Sequence, residues 1–78
     1  MKYYLQPNDS HKSFYNKAEV EILENGDSVL YSYGTKILTK KADGTMIRHW
    51  LGWSATTGRH IASFCGLYKK QFLELPTA

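Results

Sequence analysis

A single cysteine, Cys65, occurs in the 78 residues. That excludes an internal disulfide and any need for an oxidising compartment. No run approaches the ~18 apolar residues of a membrane span. The start, Met1 to Pro7, lacks an apolar segment of signal-peptide length. These absences lead us to expect a cytoplasmic protein without a membrane partner. Glycine-rich phosphate loops are missing too. His11, His49, His60 and Cys65 are the only soft metal-ligand candidates, and no pair has a C-x-x-C or H-x-x-x-H spacing. Ser13 with His11, or Ser63 with His60, is a conceivable nucleophile and base, but no strained nucleophile turn accompanies either. Glu19 and Glu21 are paired carboxylates only in the sense of ordinary strand alternation. The expectation is no metal, no cofactor and no catalysis.

What is present is aromatic. Six Tyr, three Phe and two Trp supply large buried areas to a chain near the lower size limit for a self-sufficient core. Its length allows one domain. Ten Lys and Arg against seven Asp and Glu give a net charge of +3, milder than the basic stripe of most nucleic-acid binders. The acids Glu19, Glu21, Glu24 and Asp27 come early and most bases come later, so a bipolar surface is expected.

Residues 1–16 read as an N-terminal arm, with turn chemistry at Pro7 to Ser10. Residues 17–78 form the domain. Ala18, Val20 and Ile22 alternate with Glu19 and Glu21, the pattern of a half-buried strand. Asn25-Gly26 is a hairpin signal. Ser28 to Tyr33 returns, with Val29, Tyr31 and Tyr33 on one face and Leu30 and Ser32 on the other. Gly34 is read as a bend or bulge before a third strand, Thr35 to Lys40. Asp43-Gly44 turns the chain into a fourth, Thr45 to Leu51. Next comes a helix capped by Ser54, Thr56 or Thr57, with an apolar stripe at Ile61, Phe64 and Cys65 and a glycine stop at Gly66. Lys69 to Leu75 has room for a second short helix. The fold class expected is α+β: an antiparallel meander of three to four strands with one helix packed on one face.

Two surfaces emerge as candidates. The first binds protein, through the acidic hairpin (Glu19, Glu21, Glu24, Asp27) or through Arg59, His60 and Ser63 on the helix. The competing view makes His60 a half-buried residue bonded to a neighbouring strand. The second is an aromatic and basic sheet for stacking nucleic-acid bases, built from Tyr31, Tyr33, Lys36, Lys40, Arg48, Trp50, Lys69 and Lys70. Against it, the same rings serve equally to fill a small core. An exposed Tyr31-Tyr33 edge would also support a homodimer. A helix N-terminus at Thr56 and Thr57 offers N–H groups to an anion, and Gly58 within the first turns indicates close packing or a close ligand.

Three segments together resemble a family of small uncharacterised phage and prophage proteins. They are Lys12-Ser13-Phe14-Tyr15-Asn16-Lys17-Ala18, Leu30-Tyr31-Ser32-Tyr33-Gly34-Thr35-Lys36 and Trp53-Ser54-Ala55-Thr56-Thr57-Gly58-Arg59-His60-Ile61. The likeness covers most of residues 12–66. It departs at Asn16 and Trp53, where that family more often has Gly and Tyr, and in the extra piece 67–78. It brings no activity with it. It implies a phage origin and little more; small size and the missing catalytic groups, taken with that likeness, lead us to expect a non-enzymatic interaction protein in the host cytoplasm. Such a protein would block a host protein or ribonucleoprotein, for instance as an anti-CRISPR-like counter-defence inhibitor.

Overall fold

The computed structural model describes residues 1–5 and 18–77. Residues 6–16 of the expected arm lie outside the described residues, and with them the His11–Ser13 pair. The strands are β1 (Lys2–Tyr4), β2 (Ala18–Ile22), β3 (Ser28–Ser32), β4 (Thr35–Lys40) and β5 (Met46–Arg48), followed by helices α1 (Ala55–Cys65) and α2 (Lys69–Leu73). All five strands form one antiparallel meander in the order β1-β2-β3-β4-β5. The class is therefore α+β as expected. Among the described residues there are five strands and two helices, where three to four strands and one helix were expected. The added strand is β1, which pairs Tyr3 with Val20. Its three residues are too short to show a period of two. Among the described residues no helix is long and apolar enough to cross a membrane.

Turn chemistry sets the register. Leu23 N–H bonds Asp27 C=O at 2.8 Å, and Gly26 N–H bonds Leu23 C=O at 3.0 Å. This is a three-residue hairpin loop with Gly26 left-handed at φ 93°. Lys41 to Thr45 repeats the geometry around Gly44. Asp27 ties the two loops together, because its Oδ1 accepts the Ala42 N–H at 3.0 Å. Gly34 is not a bend within a long strand. Tyr33 and Gly34, at φ 52° and 81°, form a two-residue turn that reverses β3 into β4. The bulge lies further on. Leu30 faces Leu38 while Tyr31 faces Lys36, so Ile37 is the extra residue. Ile37 and Leu38 consequently both enter the core. The Ile37 carbonyl accepts the N–H groups of His49 (2.8 Å) and Trp50 (3.2 Å). There β5 ends, short of the expected Leu51.

Ser54 caps α1 by accepting the Thr57 N–H at 3.2 Å, and Gly66 ends it left-handed at φ 77°. Val20, Leu30, Ile37, Leu38, Ile61 and Phe72 form the core between one sheet face and the helices. Trp50, Trp53, Phe64 and Cys65 pack against it half-buried. Phe72 on α2 stacks on Trp53, ring centroids 5.9 Å apart. Gly58 exists because of Trp53: a Cβ there would lie 2.4 Å from Cζ2 of the indole. Helix on ring is the close approach.

Candidate functional site

Polar side chains gather at two places. The first is inside. On β3, Leu30 and Ser32 share the helix-facing side, so the strand delivers a hydroxyl to the interior. Ser32 Oγ lies 3.0 Å from Thr57 Oγ1 and 2.8 Å from His60 Nδ1, both on α1. Ser32 is 2% exposed and His60 0%. The Tyr33 ring rests 5.9 Å from the imidazole. A serine beside a histidine is the outline of a nucleophile and base. Here the pair is sealed in the helix–sheet joint, where its hydrogen bonds satisfy groups that are costly to bury unpaired. Its chemistry is the fastening of α1 to β3.

The second lies on the sheet face turned away from the helices. Alternation along each strand brings Lys2, Glu21, Val29, Thr39 and Ile47 into one cross-strand row. Tyr4, Glu19, Tyr31 and Lys36 make the next. The Tyr31 hydroxyl donates to Glu21 Oε1 at 3.3 Å. Partial burial, then the Glu21 charge and this bond, raise the Tyr31 pKa above its ordinary value. Lys2 Nζ stands 4.0 Å from Glu19. His49 Nε2 lies 2.7 Å from Thr39 Oγ1, and burial followed by the nearby Lys36 charge lowers its pKa. The face is thus acidic along β2, aromatic at Tyr4 and Tyr31, and basic at Lys36.

The acidic set divides on this framework. Glu19 and Glu21 stand together on the far face, and Glu24 is exposed in the loop beyond. Asp27 is occupied, holding Ala42 and, through its own N–H, Asn25 Oδ1 at 3.0 Å. The helix set is corrected. Arg59 is exposed and Ser63 half-buried, but His60 is fully enclosed and cannot form part of an outer contact surface. It bonds a strand side chain rather than a strand carbonyl, at least at Nδ1.

The aromatic and basic set is not gathered on one surface. Tyr31 and Lys36 are cross-strand neighbours on the far face. Tyr33 sits in the turn beside α1. Lys40 lies on the helix side of the sheet, opposite Met46. Arg48 holds its guanidinium 5.7 Å from the Phe72 ring centre, with a buried Nε that has no hydrogen-bond partner among the described residues. Trp50 packs on the core, and Lys69 and Lys70 are exposed on α2. The Tyr31-Tyr33 edge does not exist, because β3 is the middle strand. Thr57 is 6% exposed and its N–H is taken by Ser54, so the helix start is a plain cap. Cys65 donates to the Ile61 carbonyl at 3.4 Å, and burial raises its thiol pKa. Among the described residues, no three His, Cys, Asp or Glu side chains converge as metal ligands.

The grouping of Ser32 and Thr57 with His60 is not visible in the sequence order, where Thr57 and His60 stand 25 and 28 residues from Ser32. The available signal was a serine on the apolar side of a strand. Lys2 and Tyr4 carry no such signal, because the three residues of β1 are too few to show strand alternation.

The chain matches the model of a family of unknown function, DUF8033, over residues 3–74. It belongs to that family. No curated protein and no solved structure matches it.

Proposed function

We propose that this DUF8033 protein is a non-enzymatic interaction protein that blocks a host macromolecule, and that β2 on the far face is its contact strip. One observation carries the reading. Glu19 and Glu21 stand side by side, half-exposed, next to the Tyr31 ring on the sheet face opposite the helices. The serine–histidine pair, by contrast, is enclosed. Acidic rows steer encounter with a basic partner, and tyrosine supplies rigid contact area. The partner that fits is a basic protein surface or the basic channel of a nucleoprotein. The narrower version, an anti-CRISPR-like inhibitor of phage origin, draws support from the three segments that resemble phage proteins.

The test is capture from host lysate by the wild-type protein and by a Glu19→Lys/Glu21→Lys variant. The expected result is a stoichiometric protein partner that the variant loses. No such partner, or one that the variant retains, overturns the reading. The narrower version requires that expressing the protein restores plaques on a CRISPR-immune host.

The nucleic-acid alternative rests on Tyr31 facing Lys36. It requires a complex with DNA or RNA that weakens steeply as salt rises. Absence of any mobility shift at low salt removes it.

A further inference from the structure

Among the described residues β1 is one of the two edge strands of the sheet, and all three of its residues are exposed. Hydrogen bonding shows which backbone groups point outward. Leu5 N–H donates to Ala18 C=O, and Ile22 N–H donates to Met1 C=O, each at 2.7 Å. Odd-numbered positions therefore face β2, and the N–H and C=O groups of Lys2 and Tyr4 face away from it. Among the described residues no strand lies beyond them. A free edge of this kind is a template for another strand.

We infer that β1 pairs antiparallel with β1 of a second copy, about a two-fold axis through Tyr3, to make one continuous ten-stranded sheet (twice the five strands of one copy). The segment is self-complementary in that register. Lys2 of each copy lies opposite Tyr4 of the other, and their outward groups exchange backbone hydrogen bonds in both pairs. On the far face each Lys2 ammonium meets the partner's Tyr4 ring, which is 48% exposed in one copy. On the helix side Tyr3, 44% exposed, meets its own symmetry mate at a close, non-hydrogen-bonded position.

Charge agrees with the pairing. Lys2 is already 4.0 Å from Glu19 of its own β2. In the dimer the row running across the seam reads Glu21, Lys2, then Tyr4 and Glu19 of the second copy. Each lysine then stands between two acidic strips. An unrelated strand would keep the backbone bonds but not the lysine–tyrosine and tyrosine–tyrosine matches. A two-fold, self-complementary contact is also the commonest way for a chain to pair with itself. This inference is independent of the proposed function, and the failure of either leaves the other standing.

Sedimentation velocity over a concentration series should show wild-type protein passing from monomer to dimer. Tyr4→Pro removes one outward N–H per copy without touching a β1–β2 bond, and should leave a folded monomer. In a Cys65→Ala background, Tyr3→Cys should oxidise to a covalent dimer. Lys2→Cys should not, because symmetry places the two Lys2 Cα atoms beyond the ~7 Å that a disulfide spans. The cross-linking comparison stands even if Tyr4→Pro fails to fold. A wild-type protein that stays monomeric throughout overturns the inference. So does a dimer that survives in folded Tyr4→Pro, or one that cross-links as readily through position 2 as through position 3.

Discussion

Gly58→Ala is the sharpest test of how this small core is built. On propensity alone, alanine within a helix should stabilise by about 1 kcal/mol over glycine. The tertiary contact points the other way. The new Cβ would sit 2.4 Å from Trp53 Cζ2 and 2.8 Å from Cη2, well inside the ~3.5–4.0 Å of ordinary carbon contact. The indole cannot simply swing away, since it packs against the core and its ring lies 5.9 Å from the fully buried Phe72 ring. Overpacking typically costs about 1–3 kcal/mol, and this contact is close enough to reach the upper part of that range. Subtracting the propensity gain leaves a net loss of about 1–2 kcal/mol, or a fall in Tm of roughly 5–15 °C for a domain of this size. Urea unfolding followed by tryptophan fluorescence and by circular dichroism measures it. A Trp53→Phe background removes the half of the indole that clashes, and there Gly58→Ala should be neutral or stabilising. If alanine at 58 leaves the wild-type protein equally stable or more so, the close-packing explanation is wrong.

Other consequences follow from the same contacts. Ser32→Ala removes the hydroxyl between Thr57 and His60 and should cost about 1–3 kcal/mol; an unchanged urea midpoint would mean that the buried bonds contribute nothing. His49 has its pKa lowered below 6.5 by burial and by Lys36. In the window between that lowered value and the unfolded one, the unfolded chain binds more protons. Stability should therefore fall as pH drops through this window and level off below it. His49→Gln should flatten that part of a midpoint-against-pH curve, and an identical slope would refute the assignment. The Cys65 thiol, its pKa raised by burial, should react with a thiol reagent at neutral pH more slowly in the folded than in the unfolded protein. Equal rates would show that the thiol is not shielded.

Much of the architecture was legible because it rests on local chemistry. Alternation around Val20 and Leu30, the left-handed glycines at 26, 44 and 66, and the Ser54 cap are each decided within a few residues. The expected strands and the first helix sit close to where those signals place them. Gly34 misled because a two-residue turn needs two positions of positive φ, and tyrosine is an unusual occupant of the first. The Ile37 bulge was invisible because an extra residue in β4 shows only when Leu30 and Tyr31 are matched against their partners. Of the surfaces, the β2 acids were legible as an alternating polar row. For His60 the sequence leaves an outward contact and a strand-bonded position both open, and only the fold, by bringing Ser32 and Thr57 to it, decides for the second.

The amino-acid order by itself determined the turns at Gly26 and Gly44, which residues alternate and where the first helix stops, since backbone sterics and short-range hydrogen bonds act over a few residues. Tertiary structure alone decided that β1 completes the sheet, that Trp53 requires glycine at 58, and that serine, threonine and histidine lock together out of water. Those outcomes depend on groups far apart in the chain meeting at contact distance, and no local pattern encodes such meetings.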